Sequence, residues 1–149
     1  MQKTYSQRVA RGFEILCYVM LAPAMLSLIY PLIGVCSGIA TGSAAIFFIS
    51  LIPFLIAAPG FFMLAGYIKH SRGELAEEHI PTLWSATAIY NFLLLLPWLY
   101  AASAQFQNAR NFARVSGIMS PEILYLLVPV FGYILAIVFA LKAYSVEKS

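Results

Sequence analysis

The sequence has 149 residues, 62% of them hydrophobic and 10% charged, with a formal net charge of +3 and a mean hydropathy of +0.85. A soluble domain runs at about 45–50% apolar and about 25% charged. The composition excludes a soluble enzyme, a disordered tail and a secreted disulfide scaffold, and points to an integral membrane protein.

The chain opens on a basic segment with Lys3, Arg8 and Arg11, followed by a long apolar run. A cleaved secretory leader would want a small-x-small junction. Ala22-Pro23-Ala24 sits inside the run, proline suits a cleavage junction poorly, and the apolar stretch continues past it, so an uncleaved first span is expected. A span needs about 20 mostly apolar residues to cross about 30 Å of hydrocarbon. Four stretches qualify, at about 13–33, 44–68, 83–104 and 123–141. The sequence therefore predicts an all-α fold: a four-helix membrane bundle forming one transmembrane domain over residues 1–149, with antiparallel spans. Each span carries proline (Pro23, Pro53 and Pro59, Pro97, Pro129), so kinked helices are expected. Aromatic rings that favour the headgroup level stand near the span ends: Tyr30, Tyr67, Trp84, Trp98, Tyr100, Tyr125 and Tyr144.

Gly34, Gly38 and Gly42 recur every four residues between the first two spans. On a helix they would share a face where another backbone comes close, which makes them packing candidates. Pro31, the need for a turn and the low helix propensity of glycine favour a loop over at least 34–38.

The second connection, residues 69–81, holds three of the six acidic residues together with His70 and His79. His70, Glu74 and Glu78 would share a helical face, but the spacing fits no standard metal motif and Pro81 cuts a helix short. A solvated polar connection is expected, with docking of a cytoplasmic partner as its functional alternative and no metal or cofactor. Cys17 and Cys36 are 19 residues apart and form no CxxC pair, so they read as small apolar residues.

The third span carries Ser85, Thr87, Tyr90 and Asn91. Asn91 is the strongly polar amide near mid-bilayer, and with Tyr90 it is the intramembrane polar candidate, for an interhelical bond or a small polar pocket. The outer connection that follows, 105–115, reads as a short amphipathic helix lying in the interface. Arg110 and Arg114 share one of its faces, and Ser120-Pro121-Glu122 reads as the start of the last helix. Arg110, Arg114 and Glu122 are the candidates for binding a headgroup or a partner.

Seven basic residues (Lys3, Arg8, Arg11, Lys69, Arg72, Lys142, Lys148) fall on one side of a four-span thread and two (Arg110, Arg114) on the other. That bias predicts both termini in the cytoplasm, and short loops with no sorting motif point to a bacterial inner membrane. The size and topology resemble the small four-helix multidrug exporters, which carry a glutamate near the middle of the first span; Glu14 lies at its edge. The four-helix quinone-linked disulfide oxidases and reductases need a cysteine pair at one face, and Cys17 lies within the first span. Neither resemblance reaches the residues that would carry it. The sequence offers no catalytic constellation and no buried charge in mid-span. It therefore favours a non-catalytic subunit, adaptor or immunity-type partner of a larger membrane system, in contact with the bilayer and with a protein partner or further copies of itself, and not with nucleic acid. An oligomeric transporter or channel for a small apolar or weakly polar solute is the alternative, and a lipid-modifying enzyme the second.

Overall fold

The computed structural model describes the backbone of residues 4–116 and 122–148, and the side chains of 4–107 and 125–147. Every regular element among them is helical: α1 (Tyr5–Ser27), α2 (Ile29–Thr41), α3 (Ala44–Arg72), a single 3-10 turn (Glu77–His79), α4 (Ile80–Ser116) and α5 (Glu122–Lys148). Four stretches are long and apolar enough to cross a membrane: Tyr5–Thr41, Ala44–Arg72, Glu77–Gln107 and Tyr125–Glu147. The chain is that of an integral membrane protein by these spans, and it divides into two compact units, Met1–Glu77 and Glu78–Ser149.

In the first unit, helix begins well before the apolar run. Thr4 caps α1, its hydroxyl accepting from the Gln7 amide at 3.4 Å while the Gln7 side chain accepts from the Thr4 amide at 3.1 Å. This reciprocal pair satisfies two otherwise orphaned donors. The first break comes at Leu28, and Pro31 explains it. Proline has no N–H to give the carbonyl four residues back, Ser27, and its ring collides with that carbonyl. The Leu28 amide bonds to Met25 instead, and regular pairing resumes at Leu32 to Leu28, 3.0 Å. Residues 5–41 together make a helical stretch of about 55 Å at 1.5 Å per residue.

The expected loop at 34–38 is not there: α2 runs through Thr41. Gly42, at φ 67°, closes it in the left-handed conformation, with the Ser43 amide on the Gly38 carbonyl at 3.0 Å. Two residues then suffice to turn the chain into α3. The glycines are what permits this. A Cβ added at Gly38 would stand 2.7 Å from the Phe47 nitrogen and 2.8 Å from its Cα, and one added at Gly34 would run into the Ser50 hydroxyl. The helix cost of glycine, about 1 kcal/mol per residue, is set against a backbone-to-backbone approach that no larger residue allows.

Contacts between the two arms of this unit step in opposite directions along the chain: Gly38 with Phe47, Gly34 with Ser50, Phe13 stacked on Tyr67 at 5.2 Å, Ser6 with His70. The outer faces are apolar. Val19, Leu26, Tyr30, Ile39, Ile49 and Phe62 are all exposed. Large apolar side chains outside, with mostly small or polar ones inside beside Met63 and Tyr67, form the pattern expected of a surface solvated by lipid.

The second unit pairs α4 with α5. On α4 the buried positions Ile80, Leu83, Trp84, Thr87 and Ala88 recur at three- and four-residue spacing and Leu95 and Ala102 follow at seven-residue steps, while α5 buries Val130, Ala140 and Ala143. Alanines at a helix contact let the backbones come close. The segment expected to form a separate interfacial helix, 105–115, instead continues α4 without a break. Nothing between Gln105 and Ser116 interrupts it: the stretch has no proline or glycine and is rich in alanine and long polar side chains that propagate a helix.

Two aromatic anchors also differ from expectation. Tyr67 is 2% exposed and Trp84 is fully enclosed, so both rings pack within protein rather than face headgroups. Tyr30, Tyr100 and Tyr125 are exposed.

Candidate functional site

The densest set of buried polar groups in the first unit lies where the start of α1 meets the last turn of α3. Ser6, Ala10 and Glu14 are one turn apart on α1 and all are buried. Opposite them, His70 and Ser71 are each 3% exposed. The Ser6 hydroxyl and His70 Nε2 are 3.0 Å apart, and Ser6 also lies 3.3 Å from the Thr4 hydroxyl. Ser71 donates to Glu14 Oε2 at 2.8 Å, and Arg11 Nη1 to Glu14 Oε1 at 2.5 Å. A carboxylate taken out of water is tolerated only when paired and hydrogen-bonded, and here each of its oxygens has a partner. Helix α3 then ends at Gly73, φ 77°, with Glu74 N–H on the Lys69 carbonyl at 2.8 Å.

This corrects the view of residues 69–81 as solvated throughout. Glu74, Glu77, Glu78 and His79 are exposed, but His70 and Ser71 belong to the packed end of α3. The Gly73 stop also separates His70 from Glu74 and Glu78, so the three do not share a helix. Among the described residues no three His, Cys, Asp or Glu side chains gather. The cluster was missed because it joins residues 57 and 64 apart in the chain. Two local signals do point toward it: the Thr4-x-x-Gln7 capping pattern and the Arg11/Glu14 spacing of one turn.

The other candidates are distributed. Tyr90 and Asn91 sit next to each other on α4, both half-buried. The Asn91 amide nitrogen donates to the Thr87 carbonyl at 2.8 Å, and the Thr87 hydroxyl to the Leu83 carbonyl at 2.7 Å. Ser27, Thr41, Ser85 and Ser103 likewise donate to carbonyls of their own helices. Gly34 and Gly38 face α3, while Gly42 is the α2 cap. Arg110 and Arg114 lie on α4 and Glu122 opens α5; their side chains lie outside the described residues. Cys17 is half-buried and Cys36 exposed, both as free thiols.

Comparison of the chain with family models, curated proteins and solved structures gives no match.

Proposed function

We propose that this protein is a non-catalytic partner of a larger membrane system: a subunit, adaptor or immunity-type protein of four antiparallel spans, with both termini in the cytoplasm of a bacterial inner membrane. The observation that carries the reading is the Asn91 bond. The strongest polar group of the third span turns its donor back onto its own helix, at Thr87, rather than toward another span. An interhelical bond of this kind would be worth only about 0.6 kcal/mol, so satisfying the amide locally loses little. What such spans offer a partner is their apolar flanks, and those are extensive on all five α-helices. A transporter is the second reading, favoured by Pro23, Pro53, Pro59, Pro97 and Pro129, which lie inside helices and leave carbonyls for neighbours or water to satisfy.

Gentle purification of the full chain from its native membrane tests this. A partner protein in fixed stoichiometry is expected, and Asn91→Leu is expected to leave that stoichiometry unchanged. A lone homo-oligomer that carries a small solute, and loses it in Asn91→Leu, would contradict the reading and favour transport.

A further inference from the structure

We propose that Arg11 and Arg72, gathered around the buried Glu14 carboxylate, form a binding site for the phosphate of an anionic phospholipid headgroup. Glu14 is 2% exposed, and its oxygens are taken by Arg11 and Ser71, so it acts as a holder. Arg11 itself is 54% exposed. A guanidinium has five donors in a rigid fork, and one bond to Glu14 fixes its direction while leaving others outward. Arg72, next to Ser71 and exposed, interacts electrostatically with the same carboxylate. Two arginines against one carboxylate leave a local charge of about +1, and guanidinium groups pair readily with phosphate oxygens. Lys69, exposed on the same turn of α3, adds to it. Glu74, also exposed, is the nearest acid in sequence and lies past the Gly73 stop, outside the helix that carries Arg72.

The position along the span selects a lipid over free phosphate. Arg11 stands two residues before the apolar run of α1, and Lys69 directly follows the run of α3, so this end lies at a headgroup layer. Below Arg11 on the same face of α1, at four-residue steps, come Ile15, 51% exposed, and Val19, 67% exposed. A phosphate on the arginines would set its acyl chain along those two side chains. The inference rests on the membrane spans alone. It needs neither a protein partner nor a particular leaflet, so a purification that yields no partner leaves it untouched.

The test reconstitutes the full chain in nanodiscs of mixed phosphatidylglycerol and phosphatidylcholine and reads the lipid retained by native mass spectrometry after transfer to detergent. The wild type is expected to prefer phosphatidylglycerol. At about 1 kcal/mol per basic residue at a membrane surface, Arg72→Gln should weaken that preference about fivefold while leaving the Arg11–Glu14 pair in place. Arg11→Lys with Arg72→Lys keeps the charge and removes the fork, and should also weaken it. Lys142→Gln, in the second unit, should not. Equal retention by wild type and Arg72→Gln, or an equal loss in Lys142→Gln, would overturn the site. Inorganic phosphate titrated into the protein in phosphatidylcholine nanodiscs should show no Arg72-dependent binding; if it does, free phosphate is the ligand and the lipid assignment is wrong.

Discussion

Gly38→Leu is expected to pull α2 away from α3 and to lower the stability of the full chain by about 3 kcal/mol or more, while Gly132→Leu leaves it near wild type. Overpacking of a filled contact typically costs about 1–3 kcal/mol, occasionally more. At Gly38 the obstacle is severe because the Cβ alone meets the nitrogen, Cα and Cβ of Phe47, at 2.7, 2.8 and 2.9 Å. Backbone cannot step aside as a flexible side chain can. The two-residue connection at Gly42-Ser43 also leaves no slack for α2 to shift. Gly132 lies within α5 with nothing within 4 Å of the same added atom, and is exposed, so a leucine there meets lipid and gains helix propensity. Thermal midpoints of both variants in one detergent make the comparison. Equal effects would mean that the glycine face of α2 is not a packing surface.

Trp84→Ala is expected to destabilise by about 3–5 kcal/mol, the usual range for removing a buried aromatic side chain. Trp84 is the largest of the fully enclosed side chains, in a buried stripe with Ile80, Leu83, Thr87 and Ala88. An alanine would leave a void that a close-packed interior fills only in part. If the indole were instead an anchor at the headgroup level, its loss would alter depth or tilt and leave the midpoint almost unchanged. Thermal unfolding followed alongside Trp98→Ala, at a half-buried site, separates the two.

The four spans were legible because each is a long apolar stretch, and large apolar side chains stay exposed along all of them. The same signal misplaces the helix ends. Tyr5 to Arg11 and Lys69 to Arg72 are rich in polar residues yet helical, since hydropathy tracks the solvent and not the backbone. The four-residue glycine spacing carried the α2 surface, but its conformation depended on α3 lying against it, which no window of residues 34–42 contains. The pairing of Glu14 with Ser71 and of Ser6 with His70 depends on the register of α1 against α3, and aromatic residues near expected span ends look alike whether they end up exposed, as Tyr30 is, or packed on a neighbouring helix, as Tyr67 is. Local pattern could place Asn91 in a span but could not say that its amide would turn back to Thr87.

The most direct test of the account is the sidedness of single cysteines in intact cells, in a chain whose Cys17 and Cys36 have been replaced. Four spans with both termini inside predict that Ala40→Cys and Asn108→Cys react with a membrane-impermeant maleimide from outside, while Glu74→Cys and Ser145→Cys react only after permeabilisation. Labelling of Glu74→Cys in intact cells, or of positions 40 and 74 from the same side, would contradict it.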